Sequence, residues 1–214
     1  MIYLSRNKKI FCIGLNKTGT TTLEFCLDEL GFRMGDQLKA KPLLDDWAKR
    51  NFKPIIKYCK SADAFQDSPF SLPHTYLALH SAFPRAKFIL SVRNNPDQWA
   101  DSITTFHGKL WANGNTPTKE DLQNAINHTK GRPWKVNRLL FNTPEDDPYN
   151  RDVLKVFYDN HNRNVVDYFK TLPGSLLVLN VAKKESYRDF CEFLNVKPMR
   201  ELFPIKNSTS DLKL

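Results

Sequence analysis

Lys9-Ile10-Phe11-Cys12-Ile13-Gly14-Leu15-Asn16-Lys17-Thr18-Gly19-Thr20-Thr21-Thr22-Leu23 decides the fold class. Its first seven residues are almost wholly apolar and include β-branched and aromatic side chains, the pattern of a strand buried on both faces of a parallel sheet. Past the turn, Leu23, Cys26, Leu27 and Leu30 fall at i, i+3, i+4 and i+7, which predicts an amphipathic helix stopped at Gly31. The opening unit therefore reads as strand, glycine-containing turn, helix.

The same alternation continues outward. Helical patterns at 43–51 and 55–60 lead to a short strand at 62–65, and a further helix is predicted over 73–83. Lys87 to Val92 is a second buried-strand signal; Asn95 and Pro96 then offer a cap and a first-turn proline for a helix through Trp99 to about Phe106. From His107 to Pro148 the periodicity weakens, with helix expected near 118–130; this stretch reads as an irregular, aromatic acceptor-side insertion or lid. A long helix over 149–171, a strand at 176–181 and a helix over 186–194 complete the chain. Strands alternating with helices predict a three-layer α/β/α arrangement around a central parallel sheet, of the P-loop NTPase-like kind.

At 214 residues the chain is sized for a single domain spanning 1–214. The N-terminal Met1 to Lys9 lacks a signal-peptide pattern, and no apolar run approaches the ~20 residues of a membrane span. Cys12, Cys26, Cys59 and Cys191 are widely separated and form no CxxC pair, so they predict buried free thiols in a cytoplasmic protein, with no metal site. The net charge of +9 calls for an anionic partner. The 32 Lys and Arg are scattered and match no nucleic-acid-reading motif, so a small polyanionic cofactor is expected in place of nucleic acid.

A turn between a buried strand and a helix N-terminus presents backbone N–H groups and the positive end of the helix dipole. Gly14, Gly19 and Thr21 fit the G-x-x-x-x-G-K-[ST] pattern, but Thr20 takes the lysine's place and the cation moves to Lys17, inside the loop. A nucleotide kinase needs its lysine beside the glycine to reach the terminal phosphates of a triphosphate. Farther along, Arg93 ends the second strong strand, Pro96 turns the chain, and Ser102 projects from the next helix. A planar guanidinium and a hydroxyl form a suitable pair for a dianionic phosphate.

Lys17-Thr18-Gly19-Thr20-Thr21 resembles the 5′-phosphosulfate loop of sulfotransferases, commonly K-x-G-T-T, and Phe88 to Ser102 resembles their 3′-phosphate element. The resemblance extends to Phe83-Pro84-Arg85-Ala86-Lys87, to Tyr158-Asp159-Asn160-His161-Asn162 and to Leu176 to Leu194 with Phe203-Pro204, and is closest to compact microbial and fungal sulfotransferase-like proteins. It implies sulfuryl transfer from 3′-phosphoadenosine 5′-phosphosulfate (PAPS), leaving adenosine 3′,5′-bisphosphate, to a hydroxyl or amine of a small-molecule or glycan acceptor. Lys17, Thr18, Gly19, Thr20, Thr21 and Thr22 are then expected at the 5′-phosphosulfate, and Arg93 and Ser102 at the 3′-phosphate.

Two departures from the family pattern stand out. The arginine-to-serine spacing is nine where eight is common, while Pro96 to Ser102 keeps the usual six, which places the extra residue in the turn at Asn94 or Asn95. The C-terminus has no glycine after Gly174, so Lys183, Lys184 or Lys206 would have to stand in for the family's Arg-x-Gly segment.

Family members carry a histidine base just after the second strand, in a Thr-His-x-Pro-like context, and Gln66-Asp67-Ser68-Pro69 puts Asp67 at that place. Among five histidines His107 is the reserve base, because it follows the Ser102 helix. Lys17 is the candidate for stabilising the departing phosphate. The competing readings are a P-loop small-molecule kinase and a catalytically inactive nucleotide-binding homologue.

Overall fold

A computed structural model describes residues 8–204. The expectations for the segment before Lys8 and for Lys206 lie outside the described residues. In chain order the elements are β1 (Ile10–Cys12), α1 (Thr20–Glu29), α2 (Gln37–Ala40), a 3-10 turn (Lys41–Leu43), α3 (Leu44–Ala48), α4 (Lys53–Tyr58), β2 (Ala64–Phe65), α5 (Thr75–Ala82) and β3 (Lys87–Ser91). There follow α6 (Pro96–Trp111), α7 (Lys119–Asn124), β4 (Ile126–Asn127), β5 (Thr129–Lys130), α8 (Arg132–Leu140), α9 (Arg151–Phe169), β6 (Leu176–Leu179) and α10 (Ser186–Leu194). They fall into two compact units, one of residues 8–92 with 162–204 and the other of residues 93–161.

The first unit is built on a four-stranded sheet in the order β2-β1-β3-β6, every pairing parallel. Side chains alternate across a strand, so the register dictates two separate cores. Phe11 sits opposite both Phe65 and Phe88. Its ring lies 5.7 Å from Phe65 and 5.4 Å from Phe88, and Phe88 meets Phe169 of α9 at 4.7 Å. On the opposite face Ile10, Cys12, Ala64, Ile89 and Leu179 pack against Leu23, Cys26 and Leu27 of α1 and Tyr187, Phe190 and Cys191 of α10. Helices thus cover both faces, giving the α/β/α layering the strand and helix pattern predicts. The four cysteines are buried and form no disulfide.

The second unit gathers around Trp99, whose ring stacks on Tyr158 at 5.0 Å and on Phe157 at 6.3 Å, while Phe141 meets Phe157 edge-on at 4.8 Å. Asn95 caps α6 by accepting the Gln98 N–H, and Pro96 opens the helix, as the sequence predicts. Arg151 of α9 bonds Asp97 and Asp101 of α6, and Lys155 reaches Asp97 at 3.0 Å. The two cations hold the Asp97 carboxyl below its ordinary pKa.

The unit departs from the sequence expectation in how regular it is. Helix α6 runs to Trp111, five residues beyond the expected end, and the helix expected over 118–130 is α7, closed by a small β4–β5 hairpin before α8. Helix α8 escapes periodicity analysis because its buried positions are Pro133 and Asn137, a proline and a polar residue. Asn137 is satisfied by donating to the Pro148 carbonyl at 2.8 Å.

Candidate functional site

The loop that follows β1 is fixed by backbone packing. A Cβ on Gly14 would lie 2.5 Å from the Ser91 carbonyl oxygen and 2.7 Å from the Ser91 nitrogen. Those atoms belong to a strand that cannot yield, so only glycine lets β1 leave the sheet at this point. Gly19 adopts φ 100°, and an added Cβ would meet Val181 Cγ2 at 2.5 Å. Thr18 is wholly buried; its hydroxyl donates to the Leu15 carbonyl at 2.6 Å and lies 2.7 Å from Ser91 Oγ. Thr18 therefore fastens the loop to the end of β3, and its hydroxyl is directed inward. Thr22 is also buried and faces the Pro204 carbonyl at 3.5 Å.

Gly19 is the N-cap of α1 and, having no side chain, supplies no cap hydrogen bond of its own; no acidic residue occupies the first turn. The positive end of the helix dipole at this terminus suits an anion. Lys17, half-buried with φ 68°, holds the left-handed conformation that non-glycine residues avoid. Strain of this kind is concentrated at functional sites. Thr20 and Thr21 begin the helix itself.

Two carboxylates, Asp67 and Glu24, lie close enough to act on each other, and only Asp67 was a candidate from the sequence. Parallel pairing of β2 with β1 brings the segment after Phe65 to the same end of the sheet as the phosphate loop. Asp67 lies there, half-buried at φ 60°, and accepts the Ser68 N–H at 2.7 Å on Oδ1; the following Ser68–Pro69 bond is cis. Neighbouring Gln66 reaches across to α1, where its Nε2 donates to Glu24 Oε2 at 3.1 Å. Burial, then the Asp67 charge, then Asp28 raise the Glu24 pKa above its ordinary value. Glu24 in turn acts on the Cys12 thiol, which burial already pushes up. Glu24 could have been flagged from its spacing, because it sits one turn above Thr20 and Thr21 on the same helix face.

In the second unit the arginine and serine meet. Arg93 Nη2 lies 3.4 Å from Ser102 Oγ. The extra residue is accommodated ahead of the helix: Asn94 donates its N–H to Gln98 Oε1 and Asn95 is the cap, so Ser102 keeps its helical phase. The Arg93 backbone N–H donates to the Tyr158 hydroxyl at 2.8 Å, a role for Tyr158 that the sequence did not reveal. Burial lowers the Arg93 pKa, partly opposed by Tyr158, which marks a guanidinium stripped of part of its water.

His107 is placed differently from the expectation. It lies on α6, not in an irregular segment; its Nδ1 is 2.6 Å from the Tyr149 hydroxyl and its ring stacks on Trp111 at 4.4 Å. One ring nitrogen and one face are thus committed to packing. Lys183 and Lys184 are exposed in the turn after β6. Among the described residues, no group of three or more His, Cys, Asp or Glu could hold a metal ion, and no helix is long and apolar enough to cross a membrane.

No curated protein compared with the chain matches it. A family model for the sulfotransferase domain does, over residues 9–212, taking in the phosphate loop, the Arg93 turn and the α10 segment alike. With a parallel α/β sheet and a glycine-capped turn after its first strand already in place, that match over nearly the whole length makes the chain a member of the sulfotransferase domain family.

Proposed function

We propose that the protein transfers a sulfuryl group from PAPS to a hydroxyl or amine of a small-molecule or glycan acceptor. The observation that carries this reading is the loop between β1 and α1: a helix N-terminus capped by a glycine and free of first-turn acids, entered through a lysine in the left-handed conformation that replaces the lysine of a triphosphate site. PAPS supplies an activated sulfuryl group on a phosphate leaving group. Lys17, the Gly19 to Thr21 backbone and the first-turn hydroxyls neutralise the charge that gathers on that phosphate. Arg93 and Ser102, held together by the α6 cap, take the 3′-phosphate. Asp67 takes the acceptor proton.

Calorimetric titration tests the reading directly. Adenosine 3′,5′-bisphosphate and PAPS should bind well and ATP with magnesium poorly; the reverse order would establish a kinase-like site. The same measurement tests the 3′-phosphate assignment. Arg93→Ala should weaken adenosine 3′,5′-bisphosphate by about 1.5–3 kcal/mol, the scale of hydrogen bonds to a charged group. Adenosine 5′-phosphosulfate, which lacks the 3′-phosphate, should lose far less. Equal losses for both nucleotides would assign Arg93 to general charge or to the packing around Tyr158.

A further inference from the structure

Glu24 has no part in the roles assigned above, yet it lies on the helix that follows the Lys17 loop and bonds the residue before Asp67. It lies on α1 one turn after Thr20, and helical side chains lean toward the N-terminus, so its carboxyl leans toward the end of the helix that receives the anion. The groups acting on it are Asp67 and the Gln66 amide from the segment after β2 and Asp28 from its own helix, while Glu24 itself acts on Cys12 of β1; Lys17 is the cation of the loop that feeds the helix. Cys12 stays a neutral thiol because burial raises its pKa. Glu24 and Asp67 are therefore two like charges in a partly dry corner, where an arriving dianion adds more negative charge.

The two acids are not equivalent. Asp67 accepts a backbone N–H, a bond that favours its ionised form. Glu24 instead accepts from a side-chain amide, and an amide serves either protonation state: Nε2 donates to a carboxylate, and after a half-turn Oε1 accepts from a carboxylic acid. Gln66 Oε1 is buried with no hydrogen-bond partner in the present rotamer, so an acceptor for that proton is already at hand.

Resting on the reading of the loop as the anion site of the donor nucleotide, we propose that nucleotide and proton bind together, with Glu24 taking up the proton and Asp67 remaining the carboxylate that receives the acceptor's proton. Glu24 is in this sense a positioning residue: it relieves the repulsion among Asp67, itself and the bound phosphate without discharging the base. The sign follows from linkage. Proton uptake on binding means that affinity falls as pH rises.

The test is titration of the full chain with adenosine 3′,5′-bisphosphate in buffers of different ionisation heat, which reports protons taken up, for wild type, Glu24→Gln and Asp67→Asn. The nucleotide's own phosphates contribute equally to all three, so differences between proteins carry the result. Wild type should take up as much as one proton more than Glu24→Gln, and its Kd should climb by up to about tenfold per pH unit more steeply over the range in which that proton is taken up. Asp67→Asn removes the neighbouring charge and should shrink the uptake, an arm that decides the matter even where Glu24→Gln fails to fold. Equal proton counts in wild type and either variant, with binding intact, would overturn the proposal. Failure of wild type to bind the nucleotide at all would instead overturn the donor-site reading on which it rests.

Discussion

Asp67→Asn should lower turnover by ~100 to 10,000-fold, the usual loss on removing a general base, while nucleotide affinity at neutral pH stays within a few-fold of wild type. The substitution is well suited to isolating charge. Asp67 has φ 60°, and asparagine is among the residues that accept the left-handed region, so the backbone need not move. The amide oxygen can still accept the Ser68 N–H that Oδ1 accepts now. What disappears is the negative charge and the ability to take a proton. Release of inorganic sulfate from PAPS, with water as acceptor, gives a readout that needs no knowledge of the natural acceptor. Near-normal release by the variant would remove Asp67 from the chemistry. His107 would then be tested through His107→Gln, with Tyr149→Phe showing how far its hydrogen bond to the ring matters.

Lys17→Ala should impair binding and chemistry together, the opposite signature. Loss of a preorganised charge at the leaving group costs about 100 to 1,000-fold in turnover, and loss of a charged hydrogen bond weakens donor binding by about 1.5–3 kcal/mol. Fold and function can be separated at this position. Lys17 is held at φ 68°, so Lys17→Gly relieves backbone strain and should melt no lower than wild type while losing the same activity. A Lys17→Ala protein that binds adenosine 3′,5′-bisphosphate and releases sulfate as wild type does would remove the lysine from the phosphate site.

Together these variants separate the two sides of the reaction, leaving group and acceptor, and both depend on residues that the parallel pairing of β1 with β2 and β3 brings to one end of the sheet. The layout also gives Gly14 and Thr18 a part in shaping the loop. One permits the close approach to Ser91, and the other bonds to its side chain, so the loop is held to β3 before any ligand arrives.

Local pattern determined a great deal. The apolar runs at Ile10 and Lys87 gave the central strands, the spacing of Leu23, Cys26 and Leu27 gave α1, and Asn95 with Pro96 gave the start of α6, because periodicity and capping are properties of neighbouring residues. The Lys17 to Thr22 turn and the meeting of Arg93 with Ser102 could be read for the same reason: each lies within a short stretch of chain.

Tertiary structure decided what depends on residues far apart in sequence. Glu24 meets Gln66 across 42 positions, and Thr18 meets Ser91 across 73. His107 meets Tyr149 across 42 and so is a packed side chain on a helix that continues past its expected end. No window of sequence contains such pairs; strand register and helix packing create them, and burial then sets the charge states. The sequence alone could nominate Asp67 as a base, but only the folded chain places a second carboxylate beside it, where like charge and desolvation give Glu24 a stronger hold on its proton.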